Sequence, residues 1–282
     1  MPWDVFRGLA RGLSMAGFYT VFGTAYLSAT LLRGRRVALG WLVAAGLLLA
    51  LTASAAWYLL QTQDFAGAAN WPDELAALPI VATDTRFGML LLGRCAALAV
   101  AAALWGLGAR RLAAGLAFAC AVAESWLGHG GAMGGTTGDV LLVTSVAHVG
   151  AGAVWLGALP ALAVALRALP DTEALRLARD FSPIGIGCVA LLLLTAAVQY
   201  VMLIWRPDTL LTSDYGRSAL VKLVLFAGLI AIAVANRLLT RAFPFGRDRL
   251  LANIWVEVGA GLCLLLAAGM IVQFAPPAMQ HG

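Results

Sequence analysis

Long apolar stretches alternate with short polar ones along the whole chain, and each stretch has the length of a membrane crossing. Leu13 to Leu32 closes at Arg33, Arg35 and Arg36; Val37 to Leu60 follows and gives way to a polar connection, 61–86. Phe87 to Leu107 ends before Arg110 and Arg111, and Leu112 to Leu127 comes next. Val140 to Leu166 carries Pro160, whose missing N–H predicts a bend or a thinning of the last turns, and it exits into the charged segment 167–180. Ser182 to Ile204, Ser218 to Leu239 and Leu251 to Phe274 complete the series. Each is close to the roughly 20 residues that cross about 30 Å of hydrocarbon as a helix. Lipid offers no hydrogen bonds to an open backbone, so the pattern predicts an all-α polytopic membrane helix bundle of eight transmembrane helices. Arg7 and Arg11 precede the first stretch and no small-residue cleavage site closes it, so it reads as a retained span.

Composition agrees and narrows the choice. The 282 residues are 62% hydrophobic and 12% charged, with nine Trp, where a soluble domain has about 45–50% and about 25%. The formal net charge of +5 is spread over short loops and forms no basic cluster of the kind that binds nucleic acid. Cys95, Cys120, Cys188 and Cys263 sit singly inside apolar stretches without C-x-x-C spacing and read as small core residues.

Lys and Arg near the span ends set the orientation. Arg33, Arg35, Arg36, Arg110, Arg111, Arg167, Arg176, Arg179, Arg237, Arg241, Arg247 and Arg249 fall on one side, and Arg7, Arg11, Arg86, Arg206 and Arg217 on the other. Twelve against five places the first group in the cytoplasm and both termini in the periplasm. The outer face then also holds Asp64, Asp73, Glu74, Asp84, Asp139, Asp208 and Asp214, a field that attracts cations.

The chain further reads as two four-helix halves, 1–135 and 136–282. "TDTRFGMLLLGR" entering the third span and "TSDYGRSALVK" entering the seventh share a threonine, an acid, an aromatic–Gly pair and a basic residue six positions after the glycine, Arg94 and Lys222. Glu124 and Glu257 follow those basic residues by 30 and 35 positions. Four spans per half make this a parallel 4+4 duplication. Arg94 and Lys222 have stems long enough to snorkel to the outer interface. The shorter Glu124 and Glu257 must be protonated, be paired with the basic residue of their half, or line a wet path for ions.

The chemistry concentrates between Glu124 and Pro160, which hold two of the chain's three histidines, His129 and His148, and a Gly-rich loop with Met133. His148 lies nine residues past Asp139, roughly 13 Å into its helix. An imidazole at that depth needs a hydrogen-bond partner or a ligand, and both readings stay open. His148, Gly152 and Trp155 share one helix face, and the small Gly152 invites a neighbouring helix. His129 with Met133, and Met15 at similar outer depth on the first span, favour a soft metal, Cu(I) above all.

These motifs resemble the CopD family of bacterial inner-membrane copper resistance proteins. "HVGAGAVWLGALPAL" from His148 is similar to that family's histidine followed by W-L-G-x-L. "FSPIGIGCVALLLLTAAVQY" from Phe181, "YGRSALVKLVLFAGLIAIAVANR" from Tyr215 and the early acid Glu257 resemble its C-terminal domain. The resemblance implies copper movement from the periplasm inward and a periplasmic copper carrier protein as partner. It implies no enzymatic activity, and no Walker motif is present. Related proteins often carry Leu-His in the first span where this chain has Leu13, Ser14 and Met15, so Met15 stands in for that ligand or the site is thinner. The alternatives are a copper sensor or assembly partner without transport, and a heme b protein ligated by His129 and His148. The second asks two rings at different depths to meet one iron.

Overall fold

The least apolar of the long helices lies at the centre. In the computed structural model, which describes residues 2–67, 71–128, 131, 134–204, 208–241 and 246–277, helix α1 (Pro2–Ala29) buries Arg11, Ser14, Thr24 and Ser28. It is followed by α2 (Gly40–Ala66), α3 (Trp71–Asp84), α4 (Arg86–Gly106) and α5 (Arg110–Val122), which runs into a 3₁₀ turn (Ala123–Leu127). Then come α6 (Gly135–Ala168), α7 (Asp171–Leu203), the single turn α8 (Thr209–Thr212), α9 (Asp214–Leu239) and α10 (Arg247–Ile271). Six of these, α2, α4, α6, α7, α9 and α10, are long and apolar enough to cross a membrane, so the chain is an all-α polytopic bundle. The first and fourth of the eight expected spans are the two that fall short. α1 is too polar along its length, and α5 has only 13 α-helical residues before it tightens at Ala123.

Other helices shield α1 from lipid, and that is why it tolerates polar residues. It packs on α2, α5, α6 and α10, and glycines let the backbones meet. A methyl on Gly23 or on Gly157 of α6 would run into the facing main chain, and one on Gly12 would lie 2.7 Å from the carbonyl oxygen of Leu265 on α10. α6 is the second interior helix, with nearly every side chain from Gly150 to Leu166 buried. α7 and α9 lie outside, presenting Leu193, Leu194, Val221 and Val224. Within the bilayer that is ordinary lipid-facing surface.

The polar connection 61–86 is mostly helical. α2 continues to Ala66 and ends at Gly67, whose φ of 56° lets its N–H turn back toward the carbonyls of Gln63 and Asp64. α3 then starts with Pro72, whose missing N–H is harmless in a first turn, and with Asp73 and Glu74 at the positive end of the helix. The Tyr58 hydroxyl donates to the Leu78 carbonyl and ties α3 back onto α2.

The two segments aligned in the sequence also begin alike in space. Thr85 accepts a hydrogen bond from the Gly88 N–H at 3.0 Å to open α4, and Ser213 does the same for Gly216 at 3.0 Å to open α9. Gly88 and Gly216 each lie against a carbonyl of the preceding helix, Val81 and Thr209. Only a hydrogen side chain fits there.

Candidate functional site

Glu124 sits where α5 tightens into its 3₁₀ turn, and its residue is 2% exposed. Arg11 of α1 donates to it through Nε at 2.7 Å, and Arg94 of α4 through Nη1 at 2.5 Å. Arg94 also donates through Nε to the Cys120 carbonyl at 2.9 Å, near the end of the α-helical part of α5. The guanidinium of Arg11 lies over Trp57 at 5.1 Å and that of Arg94 over Phe18 at 4.4 Å. Arg94 therefore turns inward instead of snorkelling, because a buried carboxylate and a carbonyl offer its fork two acceptors. Two guanidiniums around one carboxylate leave one net positive charge at the triad. Such a buried triad fixes position more than it adds stability, and it ties the broken end of α5 to α1 and α4.

His148, on α6, places Nδ1 2.9 Å from the hydroxyl oxygen of Thr195 on α7. The Thr195 hydroxyl donates its own proton to the Leu191 carbonyl at 2.7 Å. With that proton on the carbonyl, the oxygen accepts from His148, and the ring then carries its proton on Nδ1 and its lone pair on Nε2; the opposite tautomer reverses the bond. A hydrogen-bonded Nδ1–H with a basic Nε2 is the arrangement found behind metal-binding histidines.

Tyr19 of α1 donates to the Val149 carbonyl at 3.2 Å, and its ring and hydroxyl lie 3.6 Å from where a Cβ on Gly152 would stand. Tyr19 and Gly23 both meet α6, and Met15 is one turn before Tyr19 on the same stripe. α1 and α6 run in the same direction, with Tyr19 near Val149 and Gly152 and Gly23 against Gly157. Met15 is buried on that stripe. Trp155, at 2% exposure, sits edge-on to Phe226 at 6.2 Å. The partly buried Lys222 of α9 is in electrostatic range of both His148 and Arg11.

Glu257 of α10 is not arranged like Glu124. Its Oε1 accepts from Asn236 Nδ2 of α9 at 2.9 Å, and the pair lines a cavity of about 280 Å³ between α6, α7, α9 and α10. Lys222 is elsewhere, so the expectation that each glutamate meets the basic residue of its own half describes Glu124 and Arg94 alone. His129 and Met133 lie outside the described residues. Among the described residues, no three His, Cys, Asp or Glu side chains converge as a metal cluster.

The sequence reading did not single out Arg11, Thr195, Asn236 or Tyr19. Arg11 looked like a flanking charge because it precedes the first apolar stretch. Asn236, one residue before Arg237 at the end of an apolar stretch, did carry a signal, since a carboxamide there needs a partner. Thr195 inside "LLLLTAAV" carried none beyond its hydroxyl.

Residues 2–139 match the family model described as copper resistance protein D-like, N-terminal domain, and residues 175–271 match copper resistance protein D. The chain is similar to copper resistance protein D of Pseudomonas syringae pv. tomato, 28% identical over 242 residues, covering 80% of this chain and 76% of that protein. It is also similar to copper transport protein CutJ of Bacillus subtilis (strain 168), 26% identical over 164 residues, covering 57% of this chain and 30% of that protein. No solved structure matches.

Proposed function

The chain belongs to the copper resistance protein D family of multi-pass inner-membrane proteins, which act in copper transport and resistance and are not enzymes, and from that premise we propose that it carries Cu(I) from the periplasm toward the cytoplasm. The observation that supports this most is the His148–Thr195 hydrogen bond, which holds the ring through Nδ1 and leaves Nε2 as the ligand atom of the reading. Met15, buried one turn before Tyr19 on the stripe of α1 that faces α6, supplies a thioether at the same helix interface. Neutral nitrogen and sulfur ligands suit a soft monovalent ion and add no charge to the membrane interior.

In this reading His129 and Met133 receive copper at the outer mouth from a periplasmic copper carrier protein, and His148 with Met15 forms the deeper station. The arginine bias puts that mouth and both termini outside, with eight crossings in a parallel 4+4 arrangement of 1–135 and 136–282. α1, screened from lipid by its neighbours, and the broken α5 then complete the eight. A copper sensor without transport would use the same ligands, and vesicle uptake separates the two.

Metal analysis and an absorption spectrum test the ligand assignment. The purified protein is expected to bind about one copper and to show no Soret band. His148→Ala is expected to lose most of that copper while remaining monodisperse and helical. Unchanged copper stoichiometry and affinity in folded His148→Ala protein would make the residue structural.

Sidedness has its own check. A Gly134→Cys chain is expected to react with an impermeant thiol reagent from the periplasmic side, and a Gly246→Cys chain only after the membrane is opened. The reverse pattern would put the histidine mouth in the cytoplasm.

A further inference from the structure

The cavity between α6, α7, α9 and α10 contains a carboxylate that the copper reading leaves unused. Glu257 is 3% exposed and Asn236 is 8% exposed. Through Nδ2 Asn236 donates to Glu257 Oε1 at 2.9 Å, while its Oδ1 is buried without a hydrogen-bond partner among the described residues. The rest of the wall is largely apolar, with Trp155, Phe181, Val189 and Ile230 among its residues. At about 280 Å³ the space is large enough for several waters, with Glu257, Asn236 and Ser182 as polar partners.

Among the described residues, two titratable side chains line this cavity, Glu257 and Arg237. Arg237 of α9 donates instead to the Ser182 hydroxyl of α7 at 2.9 Å. Arg179 of α7, the other nearby cation, donates to the Thr240 carbonyl at 3.0 Å. α6 contributes Trp155, Leu159 and Leu162, none of which titrates. Both arginines are thus engaged by neutral oxygens, and Glu257 is hydrogen-bonded to an amide. An amide cannot balance a full negative charge inside a membrane, whereas a proton can.

The carboxamide suits both protonation states. Its NH₂ arm donates to the ionised carboxylate, as it is placed here. Turned about its last torsion, the same side chain offers Oδ1 to the O–H of the neutral acid. One partner therefore follows the carboxyl group through a gain and a loss of H⁺.

The depth also fits a second step. Gly261 of α10 meets Leu156 of α6 and the two helices are antiparallel, which sets Glu257 level with residue 160. That is roughly 18 Å deeper along α6 than His148. Trp155 lies between and forms part of the cavity wall.

We propose that Glu257 and Asn236 form a proton-binding site in this cavity, through which proton movement is coupled to copper transfer. The carboxylate takes one H⁺ from water reaching the cavity, becomes a neutral acid held by Asn236, and releases the same H⁺ on the opposite side. The coupling half rests on the transport reading above, and the proton site itself does not.

Two measurements test them separately. Infrared difference spectra of copper-free protein across a pH titration are expected to show the C=O band of a protonated carboxyl. That band should disappear in Glu257→Gln and shift in Asn236→Leu, which keeps the acid and removes its partner. Spectra of Glu257→Gln or Asn236→Leu identical to wild type would overturn the site, and Asn236→Leu decides the matter alone if Glu257→Gln fails to fold. In vesicles given Cu(I) held by a weak chelator, copper entry by wild type is expected to change several-fold with an imposed pH gradient, and entry by Glu257→Gln to be insensitive to it. Equal sensitivity of the two would overturn the coupling. Wild-type vesicles that admit no copper would overturn transport, and with it the coupling, while the infrared band still decides whether Glu257 binds a proton.

Discussion

Glu124→Gln is expected to destabilise the protein by about 3–5 kcal/mol, the loss that follows when one member of a buried ion pair is removed and its partner charge stays behind. Here two charges are stranded. Arg11 and Arg94 are each 4% exposed and converge on this carboxylate. Glutamine keeps the shape and one acceptor oxygen but has no negative charge, and its NH₂ meets a guanidinium donor head-on. The Arg94 guanidinium also has Nη2 buried without a partner among the described residues, so there is no slack to absorb the change. Thermal unfolding in detergent should show the loss.

The triple replacement Arg11→Met, Arg94→Met, Glu124→Leu removes every stranded charge and is expected to recover much of it. Wild-type stability in Glu124→Gln would mean that water reaches the triad. Loss of copper movement in a triple variant that folds would show that the triad does more than hold α5.

The triad also shows what the sequence could and could not convey. Apolar length is a one-dimensional property, so the positions of α2, α4, α6, α7, α9 and α10 could be read from the chain. Which helix lies innermost depends on contacts between distant segments, and the chain's own signal pointed the wrong way. α1 has the buried Arg11, Ser14 and Thr24 because its neighbours screen it, whereas along the sequence those residues look like weaknesses in a span. The 3₁₀ turn at Ala123–Leu127 was equally hidden, since nothing in "AESWL" resembles a helix breaker such as proline. Glu124 was identifiable as a buried charge that needs a partner. Arg94 could be paired with it through the aligned segments, but Arg11, 113 residues away, could not.

The same division applies to His148. Its depth and the glycine four residues on were legible, while the threonine that orients its ring comes from another helix and has no local motif.

That threonine gives the second large effect. Thr195→Val keeps the side chain's shape and removes the oxygen that receives the Nδ1 proton, so the ring is free to move its proton to Nε2 and to rotate. Substituting an orienting partner of this kind typically lowers metal affinity about 10–100-fold. The expected result is a loss of that size in Cu(I) affinity, measured by competition with a chromophoric Cu(I) chelator, with copper stoichiometry at saturation unchanged. Thr195→Ser should restore affinity, because serine presents the same hydroxyl and the same i−4 carbonyl acceptor, Leu191, is available.

Stability separates this from a packing effect. Leaving one buried N–H without its acceptor costs about 1–3 kcal/mol, whether or not copper is present. A ligand-orienting role adds a loss of copper-induced stabilisation, which grows with the ratio of free copper to its dissociation constant. If Thr195→Val lowers stability equally with and without copper and leaves the affinity at the wild-type value, the hydroxyl only fills a hydrogen-bonding need of His148. The ring's lone pair would then have no metal to meet, and a deep copper station would have to be sought on other side chains of α6.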